Sequence, residues 1–306
     1  MSIVAFFERL FFAPKKVDFL VAFLLLPFSV IYGLAGFAKQ LFIKPKDYGV
    51  KIISIGNLII GGSGKTPFAI ELIEYLNTNF NLKIIYISRG YGRVSKGLVE
   101  VKRDGEILVN VEQSGDEAML VAKESKADVI VSKDRVKAIN LAKKRGANLI
   151  ILDDAFSKVG IKKFDIILEP KEIKNILPIP SGPFREFYFA KKRANLILKE
   201  DIDFKRVVEF KNLTPRMLLV TAISNPKRLD KFLPKGVVGK YYLKDHSFFN
   251  KEEILKRVKE LNATSILVTQ KDLVKLDKLN LAISVIKLKL DINSDKLRKI
   301  ENYIKE

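Results

Sequence analysis

The residues best suited to chemistry lie in one short run, Ile55-Gly56-Asn57-Leu58-Ile59-Ile60-Gly61-Gly62-Ser63-Gly64-Lys65-Thr66-Pro67. Within it Asn57, Gly61, Gly62, Ser63, Gly64, Lys65, Thr66 and Pro67 read as a loop for nucleotide phosphates. Glycines let backbone amides converge on phosphate oxygens, Lys65 brings a point charge, and the Thr66 hydroxyl can ligate magnesium. An ordinary tight turn is the plainer alternative, and the strict Walker A spacing asks for glycine where Ile59 stands. The flanks favour phosphate: a β-branched strand enters the loop, and a helical pattern leaves it with Pro67 in its first turn, where a missing amide proton costs nothing.

A second run, Asn148-Leu149-Ile150-Ile151-Leu152-Asp153-Asp154, is an apolar strand that delivers two carboxylates to its C-terminal end. Ligands of open α/β sheets collect at that end, so Asp153 and Asp154 read as a Walker B pair facing magnesium. A helix cap or a solvated turn would use the same residues. Two further clusters follow strand-like runs: Ser88-Arg89-Gly90-Tyr91-Gly92-Arg93 and Gly115-Asp116-Glu117. Arginine with glycine is common in exposed turns, and acids favour a first helical turn for its dipole. Their expected position at the ligand-binding edge of a sheet favours function. The segment Pro178-Ile179-Pro180-Ser181-Gly182-Pro183-Phe184-Arg185-Glu186 is too rich in proline for a helix or an inner strand and has the composition of a linker.

These residues need a scaffold that puts strand ends side by side. Short β-branched runs at 51–55, 83–88, 128–132 and 148–152 alternate with helical patterns at 66–76, 116–124 and 134–145, which predicts a parallel sheet with helices on both faces. Two extended runs within 97–110 flank Arg103-Asp104-Gly105, a β-hairpin signal. Beyond Glu200 the alternation repeats on a smaller scale, with strands at 217–221 and 265–269 and helices at 225–233 and 251–261. The stretches 194–199 and 284–290 are candidates to pair as a connector. The expected organisation is an N-terminal segment 1–46, a P-loop domain 47–200 and a smaller α/β domain 201–306.

The chain of 306 residues carries 55 Lys+Arg against 35 Asp+Glu, a net charge of +20 that attracts phosphates, anionic lipid or nucleic acid without choosing among them. No cysteine is present and His246 is the only histidine, which excludes disulfides, thiolate metal sites and multi-histidine metal sites. From Phe19 to Phe37 no residue is charged, and basic residues flank both sides: Arg9, Lys15 and Lys16 before, Lys39, Lys44 and Lys46 after. That length barely spans a bilayer, Pro27 interrupts it, and the balanced flanks give no orientation. A helix lying in the membrane interface, or a shallow hairpin, is the expectation. A buried core helix and a cleaved signal are the alternatives, and the long aromatic-rich lead fits a signal poorly.

Taken in order, Gly56-Asn57 with Gly61-Gly62-Ser63-Gly64-Lys65-Thr66-Pro67, Ser88-Arg89-Gly90-Tyr91-Gly92, Gly115-Asp116-Glu117, Asp153-Asp154, Pro183-Phe184-Arg185-Glu186 and Asp245-His246 resemble the tetraacyldisaccharide 4'-kinase family over nearly the whole chain. The resemblance implies a monotopic enzyme on the cytoplasmic face of a bacterial inner membrane. It would use ATP and Mg2+ to phosphorylate an acylated glucosamine disaccharide 1-phosphate, with anionic lipid around it and neither nucleic acid nor an obligate protein partner. Carried over residue by residue, Lys65 and Thr66 hold phosphate and metal. Asp153 and Glu186 are metal-associated, and Asp116 is the base assisted by His246. Beside that carry-over, Asp154 is expected with the metal from its place at the strand end, and Arg89 would join Lys65 in neutralising charge. The chain reads Ala155-Phe156-Ser157-Lys158 where the family usually continues with Gly or Ala, Phe, Gln and His, so the roles of that pair are left without a carrier. A membrane-associated P-loop ATPase or GTPase switch would share the loop and the apolar segment, but gives no reason for Arg89, Asp116 and His246. A nucleic-acid binder would rest on charge alone.

Overall fold

The computed structural model describes residues 3–276 and 280–306, which fall into two compact units interleaved along the chain. The first comprises the chain up to Lys65 together with Asn148–Lys205 and Ile292–Glu306. Its strands run in the order Leu149–Asp153, Lys51–Gly56, Phe164–Glu169, Leu196–Lys199, all parallel. Ile52, Ile53, Ile55, Ile150, Ile151, Leu152, Ile166 and Ile167 are fully buried. Strands covered on both faces read as such unbroken apolar runs. The C-terminal helix Ser294–Lys305 packs on this sheet: the Tyr303 hydroxyl donates to the Ile52 carbonyl at 3.1 Å and accepts from the Ile52 amide at 3.2 Å.

Two helices, Ile3–Phe12 and Asp18–Phe42, precede the sheet. The turn between them is tied by Asp18, which takes a two-point bond from the Arg9 guanidinium (2.5 and 2.9 Å) and one from the Lys15 amide. Along the 25-residue second helix Ala22, Ser29 and Gly33 are buried, while Phe19, Leu20, Phe23, Leu24, Phe28, Ile31 and Leu34 are exposed. The buried stripe is small because the protein approaches closely. Ser29 Oγ donates to Ser181 Oγ at 2.7 Å, the Ser181 amide returns a bond, and the Phe187 ring occupies the space a Cβ on Gly33 would need.

The second unit comprises Thr66–Ala147 and Arg206–Asp291. The helix Lys65–Asn79 buries Phe68, Ala69, Leu72, Ile73 and Leu76. Ile84–Ser88 pairs in parallel with Asp128–Val131, which pairs antiparallel with Val99–Arg103. The expected hairpin is present: Arg103 faces Glu106 across Asp104 and Gly105, both at positive φ, the two-residue turn whose twist suits adjoining strands. A five-stranded sheet follows in the order Val237–Tyr242, Met217–Thr221, Ser265–Thr269, Ala282–Ile292, Phe204–Lys211. Alternate residues of Met217–Thr221 point to opposite faces. Leu218 and Val220 meet Ile254 and Val258 of the helix Lys251–Glu260, while Met217 and Leu219 pack with Leu229 and Leu233.

Two expectations change. The stretches 194–199 and 284–290 do not pair with each other: Leu196–Lys199 takes Phe164–Glu169 as its partner, and Ala282–Ile292 takes Ser265–Thr269. The helix expected at 225–233 is a 3-10 helix, Pro226–Phe232, with no buried residue. Only Leu229 within it reaches the sheet core, and so short a segment with so little to bury gains little from α-helical geometry.

Candidate functional site

The phosphate loop leaves the strand Lys51–Gly56 and ends at Lys65, where the helix Lys65–Asn79 begins. Gly61 (φ 102°) and Gly64 (φ 83°) adopt backbone that a side chain would strain. Lys65 Nζ donates to Asn57 Oδ1 at 3.0 Å, and Asn57 Nδ2 reaches the Gly61 carbonyl at 3.4 Å, so Asn57 fixes both the lysine and the loop. The Ser63 hydroxyl is buried with no hydrogen-bond partner among the described residues.

Ile59, the departure from the strict loop pattern, has a structural reason. It forms an antiparallel bridge with Phe184, the Ile60 amide donates to the Pro183 carbonyl, and the Arg185 amide donates to the Leu58 carbonyl. Its side chain packs against Leu58, Phe156, Ile167 and Phe184. The proline-rich segment is therefore no linker. It braces the phosphate loop and delivers Arg185.

Asp153 ends its strand opposite Ile55 and is buried. Asp154 follows at φ 48°, its amide donating to the Ile55 carbonyl. Arg185 donates to Asp154 at 2.6 Å, and Lys65 Nζ lies 3.6 Å from the same carboxylate. Burial pushes the Asp154 carboxyl upward, but the charges of Lys65 and Arg185 outweigh it and hold it below the ordinary aspartate value. Glu186 faces elsewhere: it accepts from Arg193 at 2.5 Å and from Gln40 of the long N-terminal helix at 2.8 Å, and burial raises its carboxyl despite Arg193. Among the described residues no three His, Asp or Glu side chains gather as a ready-made metal cage. Magnesium seldom needs one, because it keeps waters and takes one or two carboxylates with substrate phosphates.

In the second unit the helix Asp116–Glu124 starts at Gly115, whose φ of 82° and whose approach to the Tyr91 carbonyl leave no room for a Cβ. Asp116, 5% exposed, accepts from His246 Nδ1 at 3.0 Å through both carboxylate oxygens. An ionised carboxylate only accepts, so Nδ1 carries the proton. His246 sits at φ 62°, its amide bonded to the Ala222 carbonyl and its ring 4.9 Å from that of Tyr91. Burial pushes Asp116 upward, yet the His246 bond and the Lys271 and Lys275 ammonium groups bring it below the usual carboxylate value. Tyr91, Asp116, His246, Phe248 and Lys275 line a small cleft. Arg89 is exposed and makes no ion pair among the described residues.

Asn57, Lys65 and Asp154 thus meet, as do Asp116 and His246, while Glu186 is engaged by Arg193 and Gln40. Sequence reasoning missed Lys271 and Lys275. Their one signal was position, in the turn directly after the strand Ser265–Thr269.

A glycine-rich loop between a parallel strand and a helix, with its lysine beside a strand-end carboxylate, defines a P-loop α/β protein. The family model described as tetraacyldisaccharide-1-P 4'-kinase matches residues 21–305. The tetraacyldisaccharide 4'-kinase of Helicobacter acinonychis (strain Sheeba) is 45% identical over 302 residues, covering 98% of this chain and 95% of that protein. The one from Aliarcobacter butzleri (strain RM4018) is 46% identical over 300 residues, covering 94% and 93%. The crystal structure of LpxK from Aquifex aeolicus in complex with ATP superposes with a TM-score of 0.76 at 28% identity, covering 93% of this chain and 99% of that one. The chain belongs to the tetraacyldisaccharide 4'-kinase family.

Proposed function

We propose that the protein transfers the γ-phosphate of ATP to the 4'-hydroxyl of tetraacyldisaccharide 1-phosphate. The observation that carries this reading is the phosphate loop with Lys65 beside Asp154, in a chain 45% identical over 98% of its length to a curated kinase of that name. The 4'-oxygen attacks the γ-phosphorus, the bond to the β–γ bridging oxygen breaks, and ADP leaves. The hydroxyl proton passes to Asp116.

Such transfers ask mainly for positioning and charge neutralisation. Amides of the Gly61-Gly62-Ser63-Gly64 turn and the Lys65 ammonium hold the β- and γ-phosphates, and Arg89, exposed at the end of its strand, adds positive charge. Thr66, Asp153 and Asp154 offer the hard oxygen donors that Mg2+ prefers. Glu186 joins that set only by giving up its bonds to Arg193 and Gln40. Bound there, the ion would neutralise charge on the transferring phosphate. Asp116, depressed as it is, is a weak base that orients the hydroxyl and takes its proton late. The proton on His246 Nδ1 fixes the carboxylate's orientation.

The exposed apolar face of the helix Asp18–Phe42 lies opposite a face docked on the protein, an arrangement suited to lying in a membrane interface. With ATP as donor, the cytoplasmic face of the inner membrane is the side we assign. The test is transfer of labelled γ-phosphate from Mg-ATP to tetraacyldisaccharide 1-phosphate in detergent micelles, with Lys65→Ala as control. Lipid product that disappears in the control supports the reading. ATP hydrolysis without lipid product would replace it with a switch ATPase.

A further inference from the structure

The turn after the strand Ser265–Thr269 holds charged groups that the reaction above does not use. Asp272 is fully buried, and its carboxylate accepts from Thr221 Oγ1 at 2.6 Å, Thr269 Oγ1 at 2.7 Å and the Ala222 amide at 3.1 Å. Lys275, whose side chain is 1% exposed, lies 3.3 Å from Asp272 and 3.8 Å from Asp116, donates to the Ser247 carbonyl at 3.2 Å, and stacks over Phe249. A buried carboxylate and a buried ammonium are each costly to desolvate, so each depends on the bonds just named, and those bonds fix where both groups lie.

The bonds connect this turn to both members of the Asp116–His246 pair. Asp272 grips the Ala222 amide while the Ala222 carbonyl accepts the His246 amide, and Lys275 grips the Ser247 carbonyl on the other side of His246. His246 is thereby braced on both flanks in a backbone conformation that only a well-determined setting maintains. The same ammonium faces Asp116.

We propose that Lys275, seated on Asp272, is a positioning residue that keeps Asp116 aimed at the reacting hydroxyl and His246 locked beside it. The inference rests on the reading of Asp116 as the proton acceptor. Among the described residues the charged groups facing Asp116 are His246 from the loop after Val237–Tyr242 and Lys271 and Lys275 from this turn, with Glu117 next to it on its own helix and Asp245 reaching it through Lys271 and His246. Lys271 is shared with Glu117 and Asp245. Lys275 is committed to Asp272 and Asp116.

The test compares Lys275→Met and Lys275→Arg, alone and combined with Asp116→Asn, in the labelled-phosphate assay across pH, with ATP affinity measured separately. In Lys275→Met, kcat falls about 10- to 100-fold, KM for ATP stays within about twofold, and the acid limb of kcat moves up by about one pH unit, because a cation that favoured the ionised carboxylate is gone. Lys275→Arg restores the limb. Lys275→Met adds no further loss to Asp116→Asn, since residues acting through one another are not additive. An unmoved acid limb with normal kcat, or a loss that multiplies with that of Asp116→Asn, overturns the proposal. Normal turnover in Asp116→Asn alone overturns the base reading instead. Should Lys275→Met not fold, Lys275→Gln, which removes the charge but keeps a donor for the Ser247 carbonyl, carries the same readouts.

Discussion

His246 Nδ1 lies 3.0 Å from each carboxylate oxygen of Asp116, and the two residues are 130 positions apart in sequence. The bifurcated contact holds the carboxylate in one rotation about its axis and spends the histidine proton on it. Asp116→Asn keeps the shape and loses the acceptor. Its turnover is expected to fall about 10²- to 10⁴-fold with ATP affinity within about threefold of the wild type. Near-normal turnover, measured as labelled lipid product, would take Asp116 out of the proton-accepting role.

The lowered Asp116 carboxyl also makes a statement about stability. Its folded value lies below the unfolded one, so the stabilisation is fully present above the unfolded value of about 3.9 and is lost as pH falls through the folded one. Thermal midpoints of wild type and Asp116→Asn, followed from neutral pH down to about pH 3, should therefore converge on acidification. A gap that stays constant over that range would mean the Lys271 and Lys275 charges do not act on Asp116.

Asn57 bonds to Lys65 with one side-chain atom and to the Gly61 carbonyl with another, so its removal loosens the loop without removing a phosphate ligand. Asn57→Ala should raise the Kd for ATP about tenfold, the equivalent of one or two ordinary hydrogen bonds, while kcat at saturation changes little. Equilibrium nucleotide binding and saturation kinetics separate the two. A collapse of kcat at full occupancy would make Asn57 part of the chemistry.

What was readable in the sequence was whatever local pattern dictates. The loop Gly61-Gly62-Ser63-Gly64-Lys65, the strand delivering Asp153 and Asp154, and the Asp104-Gly105 turn declare themselves through backbone requirements and apolar runs of a few residues. The pairing of Ile59 with Phe184 did not, because a bridge between segments 125 residues apart leaves no periodic trace. Nor did Lys275: among 55 basic residues, nothing in its immediate neighbours separates a buried lysine from a solvated one. The pairing of Asp116 with His246 came from the resemblance, since a lone histidine predicts no partner.

The helix Asp18–Phe42 has two faces with opposite demands, and mutations on them should separate in experiment. Leu20, Leu24 and Ile31 are each about two-thirds or more exposed, so replacing them with Gln removes little protein contact. Each large aliphatic side chain moved from water into lipid contributes roughly 1.5–3 kcal/mol, so the triple variant should lose well over about 100-fold in partitioning to anionic vesicles. Its thermal midpoint should hardly move. Gly33→Val presents the reverse case: its Cβ would overlap the tip of the Phe187 ring, so the ring or the helix must shift. That overpacking costs about 1–3 kcal/mol of stability, and the apolar face stays intact for the membrane. Vesicle sedimentation and thermal melts on both variants decide the matter. Equal loss of vesicle binding in the two would mean that the helix enters the membrane whole rather than lying on it by one face.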